Sequence, residues 1–199
     1  DEAAVDTAVL NALFRTGPAQ VPVAAMNSGG LGEAFVCGFI DFNADGDFDD
    51  GLAGPGGYSE TAGPIGIADG TANTVVTLDF GTVPADANLD TYARFRISTE
   101  PSCSAIGTAA NGEVEDYALN VIPLDLGDLP ESGGNWATTL ANNGPRHVIF
   151  QEIFLGTAED QEVDGAPSDD ADGDDLTDEA GFRAAETAAA PPLFLPGLA

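Results

Sequence analysis

Asp41-Phe42-Asn43-Ala44-Asp45-Gly46-Asp47 carries an oxygen-bearing side chain at every second position and a glycine at the sixth. That is the first half of a calcium loop, D-x-N-x-D-G. Alternate oxygens converge on one hard cation, and the glycine permits the sharp turn. Asp49 falls at the ninth position, and Leu52 stands at the twelfth, where such loops place a bidentate Glu. The bidentate ligand must then come from elsewhere, or the site is weaker. The preceding segment reads as a strand, so the motif points to calcium without implying an EF-hand. The bland alternative is a solvated acidic turn.

A second cluster has the same register. In Ser168-Asp169-Asp170-Ala171-Asp172-Gly173-Asp174, Ser168 takes the first position, Asp170 the third, Asp172 the fifth, Gly173 the sixth, and Glu179 the twelfth. A first-position Asp is missing, and Asp128, Asp160 or Asp164 can substitute. Asp125, Asp174 and Asp178 are further candidate ligands. Magnesium suits such cages less well, because it keeps its waters. The alternative is a flexible acidic linker.

Gly112-Glu113-Val114-Glu115-Asp116-Tyr117 sets three carboxylates at the start of a strand. Glu113, Glu115 and Asp116 are candidate metal ligands, and pairing with Arg94 and Arg96 is an equally good account of them. Cys37 and Cys103 are the only cysteines, in no CxxC, so zinc is disfavoured; in an oxidising compartment they are expected to pair. The alternative is two buried thiols. His147 is the only histidine and reads as structural. The chain has no GxSxG, HExxH or P-loop. A polysaccharide-active carboxylate pair is the remaining enzymatic alternative, weakened by a single Trp, Trp136. The expectation is no enzyme.

The 199 residues hold 34 acidic side chains against 5 Arg and no Lys, a formal charge of −29. Nucleic acid is excluded as a partner because nothing can neutralise phosphates, and an anionic membrane surface for the same reason. Residues 41–50 include five Asp and residues 169–179 seven acids, so twelve of the 34 sit in two short stretches. A salt-adapted surface would spread them; crowding them raises repulsion unless a cation sits among them. No apolar run approaches the roughly 20 residues of a membrane span. Asp1-Glu2 is no basic leader start, so a leader has been removed or the chain is a piece of something longer.

The elements that would position these residues are short strands. Residues 21–25, 33–42, 74–80, 91–98 and 115–121 read as strands between Gly/Pro turns, with 147–155 as one more. In 91–98, Tyr92, Arg94 and Arg96 share one face and Ala93, Phe95 and Ile97 the other. The fold class expected is all-β, an antiparallel β-sandwich with Greek-key, Ig-like connections, followed by a loop-rich acidic segment. The boundaries expected are a sandwich over 1–122, an acidic calcium-binding linker over 123–182 with one or two strands, and an apolar tail over 183–199. In the tail, 184–190 suits a short helical turn.

Asp1-Glu2-Ala3-Ala4-Val5 is echoed by Asp178-Glu179-Ala180-Gly181-Phe182. A repeat that opens twice gives such an echo. Residues 39–48 (FIDFNADGDF), 91–96 (TYARFR) and 112–117 (GEVEDY), in that order, resemble the GEVED domain of large bacterial surface and secreted proteins. Phe39 stands where that family usually has Trp. Residues 125–132, 144–147, 155–156 and the acidic run up to 179 resemble the segment joining successive GEVED domains.

The resemblance implies an exported, repeated, adhesin-like module stabilised by Ca2+. The expected function is structural, a unit of a cell-surface stalk, adhesin or filament. Its expected partners are other copies of itself, joined head to tail, or adjacent repeats. Leu193, Phe194 and Leu195 are the candidate assembly residues, adding a strand to the next unit by donor-strand complementation. The alternative is a calcium-dependent module that binds a surface glycan or other surface ligand.

Overall fold

A computed structural model describes residues 4–131, 136–149, 153, 155, 161–171 and 173. The chain divides into two compact units, Asp1–Pro123 and Leu124–Ala199.

The first unit is an antiparallel β-sandwich. One sheet has the order β1 (Pro18–Asn27), β6 (Thr71–Thr82), β4 (Tyr58–Ser59), β3 (Gly51–Leu52). The other has the order β5 (Thr61–Ile67), β2 (Ala34–Ile40), β7 (Asp90–Ser98), β8 (Glu113–Asn120). Most connections cross from sheet to sheet; β3–β4 and β7–β8 are local hairpins. A single apolar cluster fills the space between. Val21 and Val23 of β1 and Leu78 and Phe80 of β6 meet Val36 of β2, Phe95 of β7 and Leu119 of β8.

Period-2 alternation makes these strands one-sided. In β7, Ala93 and Phe95 are buried while Tyr92 is exposed, as its sequence predicts. The central strand β2 is buried on both faces. Gly38 lets the sheets approach: a Cβ there would lie 2.7 Å from Leu78 Cδ1 and 2.9 Å from Phe80 Cζ. Ahead of β1, a one-turn helix α1 (Thr7–Leu10), capped by Asp6, buries Leu10.

The sandwich and the five strands expected within it are present, as β1, β2, β6, β7 and β8. β5 escaped the sequence reading because Gly63, Pro64 and Gly66 interrupt its pattern. Helix α1 escaped it because one turn leaves no period.

In the second unit, β9 (Leu124–Leu126) pairs antiparallel with β10 (Arg146–Val148). The strand expected over 147–155 is thus described only over Arg146–Val148, and residues 150–152 and 154 lie outside the described residues. A 3-10 turn at Leu140–Asn142 precedes β10. Glu131 organises that turn, accepting hydrogen bonds from Thr138 N (3.2 Å), Thr139 N (2.8 Å) and Asn142 Nδ2 (2.6 Å). The helical turn expected at 184–190 lies outside the described residues. Among the described residues no helix is long and apolar enough to cross a membrane.

Candidate metal centre

The acidic loop leaves β2 anchored by aromatic residues. Phe42 is fully buried and meets Tyr58 edge-on at 5.8 Å; Phe48 packs against Phe39 of β2 at 5.6 Å. With Phe42 in the core and Phe48 packed on Phe39 at the outer face of β2, the carboxylates of Asp45 and Asp47 lie on the exposed side of a tight turn. Ala44 (φ 58°) and Gly46 (φ 97°) supply its left-handed positions.

Asp41 is 6% exposed and accepts from Asp45 N (3.2 Å, Oδ1) and Gly46 N (3.1 Å, Oδ2). Asn43 Oδ1 also accepts from Asp45 N at 3.1 Å. Its amide donates to Asp45 Oδ2 (3.1 Å) and Asp50 Oδ2 (2.6 Å). Asp45, Asp47 and Asp50 each offer an oxygen within 4.8 Å of the other two. Oxygens bound to one calcium ion at about 2.3–2.6 Å lie at most about 5 Å apart, so the three fit a hard cation. Three carboxylates this close repel one another without one. The field is visible at exposed Asp49, whose carboxyl is pushed above the usual carboxylate range, first by a hydrogen bond with Asp47 and then by the neighbouring charges.

Two participants were not singled out in the sequence. Asp50, at the tenth loop position, takes the place in the trio that the pattern assigns to Asp49. Glu60 is fully buried and holds the loop from behind. Its Oε1 accepts from Phe42 N at 2.7 Å and its Oε2 from Asp50 N at 3.4 Å. Burial pushes its carboxyl up to about 7, against the backbone donors that lower it. Leu52, at the twelfth position, is exposed on β3 and offers no ligand.

Residues 35–120 match the GEVED domain family, a span that opens in β2, takes in the acidic loop and Glu60, and closes with β8. The chain contains a GEVED domain. No curated protein and no solved structure matches it.

Within the GEVED domain, strand alternation separates the carboxylates of the Glu-Val-Glu-Asp-Tyr stretch. Glu115 and Tyr117 are buried and turn inward, whereas Asp116 is exposed on the other face. Asp116 forms a two-pronged pair with Arg94, Nε–Oδ1 2.7 Å and Nη2–Oδ2 2.8 Å. The Arg94 guanidinium holds the Asp116 carboxyl below its usual range. Arg96 instead donates to the carbonyls of Ser104 (2.6 Å), Ile106 (3.1 Å) and Gly107 (3.2 Å). Glu113 is exposed where β8 begins.

Cys37 and Cys103 form a disulfide with Cα atoms 5.6 Å apart, tying the loop after β7 to the outer face of β2. The hollow beneath that loop, beside Phe35 and Arg96, is about 160 Å3. That is below the roughly 300–1,000 Å3 of a small-molecule site, so the loop reads as a cover rather than a cleft.

The second unit repeats part of the loop geometry. Ala171, at the fourth position like Ala44, has φ 51°. Gly173 N donates to Asp128 Oδ2 at 2.9 Å, as Gly46 N does to Asp41, and Ser168 N donates to Asp128 O at 2.9 Å. Asp128, nearly buried, thus stands where the missing first-position Asp would be. Asp164 Oδ1 accepts from Leu140 N (2.6 Å) and Gly165 N (2.8 Å). Asp170 is exposed, and Asp125 lies on β9. Among the described residues the 45/47/50 trio is the one converging acidic group. Asp160, Asp172, Asp174, Asp178, Glu179, Leu193, Phe194 and Leu195 lie outside the described residues.

Proposed function

We propose that this GEVED-containing chain is an extracellular structural module of a stalk, adhesin or filament, that calcium stabilises its acidic loops, and that units join head to tail. The observation that carries the reading is the convergence of Asp45, Asp47 and Asp50 beside Asn43 on a turn clamped from behind by Glu60. Calcium is favoured over magnesium because the converging donors are the chain's own side-chain oxygens, whereas magnesium keeps several of its waters. The Gly173–Asp128 contact supports a second loop of the same kind in the other unit. Export is supported by the disulfide, since such bonds persist in oxidising compartments.

In this reading the chain's work is mechanical. Calcium removes the mutual repulsion of carboxylates that the fold has already gathered, and the ordered loops set one unit against the next. A ligand bound only by the native state raises stability by mass action. The melting temperature is expected to rise with millimolar calcium and fall with a chelator. Identical melting curves in the two conditions would refute the calcium role while leaving the sandwich intact.

A further inference from the structure

The two sheets of the sandwich differ in what covers their outer faces. Over the β5-β2-β7-β8 sheet lies the loop after β7, tied down by Cys37–Cys103 and by bonds from Arg94 to Ala105 O (2.9 Å) and from Arg96 to Ser104 O (2.6 Å). Among the described residues, the outer face of β1 and β6 has no such cover. Val21, Val23, Leu78 and Phe80 turn into the core, so alternation turns the residues between them to solvent. Those residues lie in cross-strand rows: Gln20 opposite Asp79, Pro22 opposite Thr77, Ala24 opposite Val75. Met26 extends the face along β1. Val75 is 66% exposed and Met26 59%.

An uncovered face of an antiparallel sheet is ordinarily polar. This one is largely apolar, and the contrast is sharpest in charge. In those rows Asp79 alone is charged, in a chain with 34 acidic residues. Its carboxylate is engaged within the sheet, accepting from Gly81 N at 2.9 Å and from Gln20 Nε2 at 3.4 Å. The β1 edge is closed to an added strand here, because Pro22 has no N–H to offer and Ala24 N already donates to Ala4 O at 2.8 Å. A partner therefore meets these strands on the face. An acidic surface set against it would lose water from its carboxylates and gain no donor in return. The same face of a second copy carries no such cost, and it is where repulsion between two chains of charge −29 is weakest.

We propose that the outer face of β1 and β6 is a lateral contact surface that packs against the same face of a second copy of the chain. A two-fold axis running across the strands, along the Ala24–Val75 row, sets that row against itself and carries the two Asp79 side chains to opposite ends. Two strands over this length offer about 300 Å2 a copy, well under the roughly 800 Å2 that a stable dimer buries per partner. Each contact is therefore weak, and it acts where copies stand side by side, so that many contacts add. Only that array rests on the stalk or filament reading above; the pairwise contact needs neither calcium nor a head-to-tail joint.

The test is sedimentation equilibrium of the full chain, up to about millimolar protein in about 0.5 M NaCl with chelator, so that salt screens the net charge and no ion bridges carboxylates. The apparent mass is expected to rise above that of the monomer as concentration rises. Met26→Glu with Val75→Glu should weaken this association at least about tenfold. Leu31→Glu with Ile106→Glu adds the same charge at equally exposed places, 65% and 78%, and should associate as the native chain does. All four side chains face solvent, so the variants keep the fold, which circular dichroism checks. A monomer at every concentration overturns the proposal. So does a rise that Met26→Glu with Val75→Glu leaves unchanged, which puts the contact on another surface, or one that both variants abolish equally, which makes it an effect of net charge. The two readings fail separately: a calcium-indifferent melting curve leaves the lateral contact standing, and a monomeric chain leaves the calcium role standing.

Discussion

Glu60 is the residue whose chemistry most constrains the acidic loop. It is a buried carboxylate with two backbone donors, lying behind a crowd of other carboxylates. Its folded-state pKa is raised from 4.5 to about 7. Between those values the folded protein keeps a proton that the unfolded chain has released. Its contribution to stability is therefore fully present below the unfolded value and lost as pH rises through the folded one. In chelator, the melting temperature of the protein is expected to fall from about pH 4.5 to 7, and Glu60→Gln to flatten that slope. A slope equal in the two proteins would remove Glu60 from the account. The Arg94–Asp116 pair, by contrast, is half exposed on the Asp116 side and belongs to the class of surface pairs worth under about 1 kcal/mol.

Among the elements, β2 carries the most. It packs Val36 and Ile40 into the core, presents Cys37 and Phe39 outward, and feeds directly into the acidic loop. At Gly38 the side chains of the facing sheet leave no room for a Cβ. Gly38→Val places atoms where Leu78 and Phe80 already lie, and a loss of about 1–3 kcal/mol is expected, read by urea unfolding. Unchanged stability would mean that the sheets part at low cost. Much of this element was legible in the sequence. Strong β-formers over 33–42, the alternation over 91–98 and the D-x-N-x-D-G spacing lead directly to β2, β7 and the loop. What stayed hidden has physical reasons. Spacing along a loop cannot tell whether position nine or ten turns inward, so Asp50 was passed over for Asp49. A buried Glu ten residues past the loop leaves no local trace, and only the β2–β5 pairing brings Glu60 behind it. The first-position stand-in, Asp128, lies 45 residues from Gly173, a contact that only the folded unit makes.

At the scale of the whole molecule, a chain with a formal charge of −29 holds two compact units; a disulfide supplements its apolar core, and bound calcium is the ionic device proposed beside it. The Cys37–Cys103 bond closes a long loop, with a sequence separation of 66. Cys37→Ser with Cys103→Ser is expected to cost about 2–5 kcal/mol in chemical unfolding, and a change near zero would show that the cover over β2 is held by packing alone. The ionic device is the central claim, and calcium titration by calorimetry tests it most directly. The account predicts saturable calcium binding to the native chain and the loss of one binding step in Asp45→Asn with Asp50→Asn. A flat titration of the native chain, or an isotherm that the double variant reproduces unchanged, would contradict it.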